Sequence, residues 1–344
     1  MTDYIVDPDA VGSPARDYSS IVTAWSDAAR DLVSATATDR FLCRPTSGGA
    51  LPISNDVNFG GYGWTTNSSY LVEVLPYNDT YKHSGQYDTS SARIHFDSAT
   101  NWHTLNMGNN TWIKFIDMIY AREGVNQGLL FSPNTGGGLI LENCVLHCPT
   151  SGEVGRFLGT ISATEDLHVF NTLFSGYLWS LNWYYGGAGI DMTGSQIYHC
   201  TFATNYADHQ IDFSEGVGRV FPDIKNLILD NQGAGAEFQD TTGNATYTAV
   251  DVYTSDATSP TSDDNFSADF VGSGDFTLDS AIPDPAGTDI SGESPIHGVD
   301  FEVDWEGDTR SNHHVGFDEY VSGAVFPYHS IKQRRRGMKT LLTM

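Results

Sequence analysis

Short runs of alternating apolar residues recur along the middle of the chain, and each run carries one polar residue at a fixed place. The runs are TWIKFIDMIY, LILENCVLHC, DLHVFNTLFS, SQIYHCTFAT and PDIKNLILDN, with Asp117, Asn143, Asn171, His199 and Asn226 at the polar place. These five residues lie 26, 28, 28 and 27 positions apart. Two and three positions after each comes a mostly apolar pair: Ile119/Tyr120, Val145/Leu146, Leu173/Phe174, Thr201/Phe202 and Ile228/Leu229. Alternation over four to eight residues predicts strands, and a steady period predicts one supersecondary unit stacked on copies of itself. A single coil cannot bury its own apolar face, but coils ~4.8 Å apart can. The polar place predicts an inward bend residue that hydrogen-bonds along the stack and satisfies turn amides otherwise buried without partners.

Upstream, SYLVEVLPY (69–77) and ARIHFDS (92–98) read as the first coils in a less regular register, after a glycine-rich segment, SGGALPISNDVNFGGYGWTTNSS. The segment DYSSIVTAWSDAARD predicts a short helix capped by Ser19 or Ser20, with Ile21, Ala24, Trp25 and Ala28 on one face. Such a helix would cover an open end of the stack, where core and strand edges are exposed. After Asn231 the pattern weakens. Residues 240–275 are rich in Thr, Ser, Asp and Gly and read as a looser final coil, and 275–320 as the other cap. The expected organisation is an N-terminal segment with its capping helix (1–40), a solenoid (41–240), last coils and cap (241–320) and a basic tail (321–344). The expected fold class is all-β, a single-stranded right-handed parallel β-helix.

Composition agrees. The chain of 344 residues has 35 glycines and only 17% charged residues, which suits many turns better than long helices. Its net charge of -26 disfavours nucleic acid and anionic membranes as partners. Five of the 17 basic residues (Lys332, Arg334, Arg335, Arg336 and Lys339) crowd the C-terminal tail. That tail reads as a docking segment for an acidic protein assembly, as a contact to nucleic acid, or as disordered chain; docking fits the acidic body best. Cys43, Cys144, Cys148 and Cys200 have no zinc-like spacing and read as small buried thiols. No apolar run suits a signal peptide or a membrane span, so neither export by the usual route nor a helical anchor is expected.

The stretch DFTLDSAIPDPAGTDIS followed by VDWEGDTRSNHHVGFDEY resembles the closing segment of right-handed parallel β-helix repeat proteins. The matching residues are Asp275, Phe276, Leu278, Gly287, Asp304, Gly307, Arg310, Gly316, Asp318, Glu319 and Tyr320, and the opening DYSS…AW…DLV phrase is also similar. Glu306 and Phe317 depart from the family pattern, which has Asp and Ala there. Bacterial surface members carry a signal peptide and an anchor; members without them are similar to phage tailspikes and particle decorations, released by lysis. The resemblance therefore implies a non-enzymatic structural virion component, a capsid decoration or a tail or spike protein. Its expected partners are other virion proteins, reached through the tail or an end cap, and a cell-surface glycan. A homo-oligomer, with a trimer as one closed form, follows from long flat flanks. The rival readings are a polysaccharide lyase or glycoside hydrolase and a bacterial surface adhesin.

Candidate chemistry is sparse. The segment NYADHQIDFSEGVGR gathers Asp208, His209, Asp212, Glu215 and Arg219, the residue types that cut or eliminate acidic polysaccharides, although solvated loop residues would look the same. In YLWSLNWYYGG, Tyr177, Trp179, Trp183, Tyr184 and Tyr185 offer ring faces to sugars or pack a loop. Asp304, Glu306, Asp308, Asp318 and Glu319 offer calcium ligands. The simpler reading has Arg310 tying the cap together through Asp304 or Asp318. His313 and His314 form an adjacent pair of the kind that seldom binds metal, so no metal site and no cofactor beyond calcium is expected.

Overall fold

A computed structural model gives the architecture. It describes residues 1–9, 15–46, 50–54, 57–96, 103–108, 110–122, 129–133, 136–148, 155–156, 166–176, 178–179, 181–182, 191–204, 210–213, 220–231, 236–240, 246–256, 258–261, 270–272, 275–278, 287, 290 and 299. The described chain is mostly strand, with few helices and one long parallel sheet: an all-β, solenoid-like arrangement. No helix among the described residues is long and apolar enough to cross a membrane.

One ladder of parallel strands comprises Thr2–Val6, Asp39–Cys43, Val72–Pro76, Trp112–Ile116, Gly138–Glu142, Asp166–Phe170, Gln196–Tyr198, Asp223–Asn231 and Ala249–Thr254. A second comprises Ala50–Ile53, Arg93–Phe96, Ile119–Arg122, Val145–Cys148, Leu173–Gly176 and Thr201–Thr204. The nine-residue strand Asp223–Asn231 pairs with both and joins them into a single 15-stranded sheet. Shorter parallel strands form separate small sheets; Val57–Asn58, His103–Gly108 and Leu129–Pro133 make up one of them.

Each repeat contributes one rung to the first ladder and one to the second, with a corner between. The corner residue is the polar residue of the repeat. Asp117, Asn143, Asn171, His199 and Asn226 have φ of 56°, 53°, 46°, 52° and 57°, and Asp251 continues the column at 51°. Among residues with a side chain, Asn, Asp and His enter this left-handed region most readily. Backbone conformation therefore chooses the residue type. The corner residues' own amides bond to backbone along the stack: Asp117 N donates to Glu142 O (3.0 Å), Asn143 N to Phe170 O, Asn171 N to Tyr198 O and His199 N to Lys225 O. A side-chain rung does form between Asn226 Nδ2 and His199 Nε2 at 3.3 Å.

Register stacks like on like inside. From the first ladder, Phe41, Val74, Phe115, Leu141, Val169, Ile197 and Ile224 form one buried column. From the second, Leu51, Ile94, Tyr120, Leu146, Phe174, Phe202 and Leu229 form another, in which Phe174 and Phe202 stack 4.3 Å apart. Cys144 and Cys200 sit just after their corners with thiols directed at backbone carbonyls, and all four cysteines are buried thiols outside any disulfide. Burial pushes the Cys43 and Cys144 thiols well above the usual range.

The upstream coils differ from the expectation. Val72–Pro76 and Arg93–Phe96 belong to one coil, not two, because they lie in different ladders. The glycine-rich segment contributes its own strands, Ala50–Ile53 and Val57–Asn58, and Thr2–Val6 pairs with Asp39–Cys43. The helix Ile21–Asp27 is inserted between those two strands. Ser20 accepts from Thr23 N, and Ile21, Ala24 and Trp25 are buried, as the spacing predicts. Trp25 meets the Phe59 ring edge-on, and its carbonyl accepts from Trp64 Nε1. Downstream, Ala249–Thr254 is a regular rung rather than a loose one.

Candidate functional site

Strand alternation turns every second residue of a ladder outward, and register aligns those residues into columns. On the first ladder one outward column begins Asp3, Arg40, Glu73, Lys114, alternating in sign from coil to coil. Arg40 makes a two-pronged contact with the Asp3 carboxylate at 2.6 and 2.7 Å, and its hydrogen bonds hold the Asp3 carboxyl below its ordinary value. Lys114 reaches diagonally to Glu142 Oε2 at 2.5 Å, with only 5% of the Lys114 side chain and 16% of the Glu142 side chain exposed. Burial raises the carboxyls of Glu142 and Glu73; the nearby Lys114 pulls both back, and Arg40 assists at Glu73.

Beside this column the face carries an apolar cluster. Trp112, Ile140, Phe170 and Tyr198 cluster with Leu71, and Ile290 and Val299 from the C-terminal region complete the cluster. Those two residues are fully buried, so chain far from the repeats packs on the flank of the ladder. Lys225 Nζ lies 5.1 Å from the centre of the Tyr198 ring, a cation over an aromatic face.

The second ladder has its own covered flank. Ile119, Ala121, Val145 and Leu173 face outward yet are buried, with Tyr87 packed against them. Tyr87 belongs to the connection between Pro76 and Arg93, and its ring stacks on His147 at 4.3 Å. In the same connection Lys82 Nζ meets Asp117 Oδ1 at 3.0 Å, so the segment straps across neighbouring coils. His147 Nδ1 lies 2.9 Å from Ser175 Oγ, its in-register neighbour. A Ser–His pair is the beginning of a nucleophilic dyad, but attack needs an accessible hydroxyl. Ser175 is fully buried, and the contact binds adjacent coils instead.

Near the N-terminus, Arg44 Nε meets Asp7 Oδ2 at 3.0 Å with both side chains buried. Burial acts to raise the Asp7 carboxyl, but hydrogen bonds from the Thr46 hydroxyl, the Asp9 amide and Arg44 outweigh it, and the value is lowered.

Of the expected catalytic group, Asp212 is half-buried in a short strand paired with Leu181–Asn182 and Phe238–Gln239. Asp208, His209, Glu215 and Arg219 lie outside the described residues. Of the aromatic group, Trp179 lies in the strand Leu178–Trp179, while Tyr177, Trp183, Tyr184 and Tyr185 fall outside. The cap residues Asp304, Glu306, Asp308, Arg310, Asp318 and Glu319, the histidines His313 and His314, and the tail cations Lys332, Arg334, Arg335, Arg336 and Lys339 also fall outside. Among the described residues, no three His, Cys, Asp or Glu side chains are placed to share a metal ion.

The groups that sequence reasoning missed are the flank columns and the strap. The columns had a signal: Lys114 and His168 stand three places before a corner, and His147 and Ser175 four places after one. The chain matches no protein-family model, and no curated protein matches it.

Proposed function

We propose that the chain is a non-enzymatic structural component of a phage-like virion, a capsid decoration or a tail or spike protein built on a right-handed parallel β-helix. Right-handedness follows from the strong preference of parallel connections within one sheet. The observation that carries the structural role is the first ladder. Nine strands pair in parallel, and at ~4.8 Å per rung they span about 38 Å. Each ladder has a flank covered by side chains of the same molecule: Ile290 and Val299 on the first, Tyr87 on the second. A long body that uses its side faces to hold itself together suits a spacer or display element. The acidic body and the cationic tail support attachment through the tail to an acidic neighbour in the particle. The aromatic segment around Trp179 would then be the displayed glycan-binding surface, and the oligomer a closed one such as a trimer.

Immunogold electron microscopy of a lysate of the source culture, with antibody against residues 15–320, tests the reading. Gold on heads or tails of particles is the expected result. Gold on cell envelopes alone would favour an adhesin. Sugar release by the purified chain that is lost in Asp212→Asn would favour a depolymerase. Either result overturns the proposal.

A further inference from the structure

The strap between Pro76 and Arg93 carries a histidine whose two ring nitrogens are both committed to the backbone. His83 is 2% exposed. Its Nδ1 accepts from Gly85 N at 3.1 Å, within the strap. Its Nε2 lies 2.5 Å from the carbonyl of Asn143, a corner residue 60 positions away. An acceptor at Nδ1 and a donor at Nε2 define a neutral imidazole in one tautomer. An imidazolium has two donors and no acceptor, so protonation would set an N–H against the Gly85 N–H and place a charge in a buried site.

We propose that His83 is an acid-sensitive latch that holds the strap on the second ladder and releases it as the pH falls below the imidazole range. The inference does not depend on the virion reading. The groups around the latch fit it. On the strap itself, Lys82 is engaged by Asp117, Asp88 holds Ser90 and Ser91, and Tyr87 stacks on His147. On the coils beneath, Glu142 precedes Asn143 and is bound by Lys114; His147 contacts Ser175; His95 and Arg93 lie in the neighbouring strand. His147, half-buried in the strand beneath, stacks on Tyr87 of the strap, and a protonated ring there would keep its contact with the tyrosine face.

The sign is fixed by the hydrogen bonds. The closed strap uses Nδ1 as an acceptor in a buried site, so ring protonation and closure oppose each other. The latch is at full strength above the ordinary imidazole value of ~6.5 and weakens as the pH falls below it. Between pH 7.5 and pH 5.0 the opening constant rises about 30-fold when only the open strap protonates. Opening would uncover the apolar flank of Ile119, Val145 and Leu173.

Hydrogen–deuterium exchange of the full chain tests this, read on peptides covering residues 77–92 and corrected for intrinsic exchange at each pH. The wild type is expected to show the acid-dependent rise. His83→Gln can donate to Asn143 O and accept from Gly85 N without titrating, so its exchange should stay low at both pH values. His147→Gln should keep the rise. A flat wild-type response, an unchanged rise in His83→Gln, or a rise abolished by His147→Gln overturns the proposal.

Discussion

Replacing Lys114 by methionine tests how the outer charges of the first ladder contribute. Methionine keeps most of the apolar stem but removes the only cation in contact with the buried Glu142 carboxylate among the described residues. Deleting one partner of a buried ion pair costs about 3–5 kcal/mol, because the other charge stays in a poorly solvated place. The Glu142 side chain keeps 16% exposure, so a loss near 3 kcal/mol is expected at pH 8. Glu73 adds to it, since Lys114 also favours its charged form. The loss depends on pH. Without Lys114 the Glu142 value rises further above its ordinary 4.5, so its contribution to stability is full below that value and falls as the pH climbs through the folded-state value. Each unit of pKa separation corresponds to about 1.4 kcal/mol. The gap between variant and wild type should therefore narrow to about 1 kcal/mol or less at pH 4.5. Replacing both partners, as Lys114→Met with Glu142→Leu, should recover most of the loss at pH 8. Urea unfolding followed by far-ultraviolet circular dichroism at the two pH values measures all three chains. A variant as stable as wild type at pH 8, or a loss unchanged at pH 4.5, would refute the account.

Three further outcomes follow from the geometry. At the corner, Asn171→Gly should be tolerated while Asn171→Leu is less stable than the glycine variant by about 1–2 kcal/mol in thermal unfolding, since only leucine resists the left-handed backbone. Gly176 has φ +82°, and an added Cβ would lie 2.1 Å from the Cys148 carbonyl oxygen, so Gly176→Ala should cost about 2 kcal/mol or more by the same measurement. Asp7, with its lowered carboxyl, stabilises the fold above its ordinary value of 3.8, and that contribution disappears as the pH falls through the folded-state value. Asp7→Asn should consequently flatten the loss of thermal stability between pH 5 and pH 3, and an unchanged slope would show that other carboxylates carry it.

The repeat from Asp117 to Asn226 was legible because every coil there returns the same residue types to the same conformations. The column of left-handed corners needs Asn, Asp or His, and the inner columns need apolar residues at fixed offsets from them. Upstream the same architecture was hidden. The helix Ile21–Asp27 and the strap enlarge their coils, and the strands Ala50–Ile53 and Val57–Asn58 are too short to show alternation. The outer columns were half legible: Lys114 could be placed relative to its corner, but its partnership with Glu142 needs the register. The strap contacts carried no signal at all. His83 and Asn143 are 60 residues apart and meet through a side chain and a carbonyl, which no spacing rule couples.

Coil length and strand register are independent in this molecule. Successive rungs of the first ladder are offset by 37 residues from Thr2 to Asp39, 33 from Asp39 to Val72 and 41 from Val72 to Ile113, against 26 from Ile113 to Leu139. Pairing stays parallel throughout, because the ladder sets the position of each strand and the connection only has to close. Doubling the length of a flexible connection costs roughly 0.6 kcal/mol. Any coil can therefore accept a foreign segment of a dozen residues at its turns, as the coil holding the strap already does. The molecule behaves as a rack with interchangeable cassettes: new surfaces can be acquired or discarded one coil at a time while the frame beneath them stays fixed.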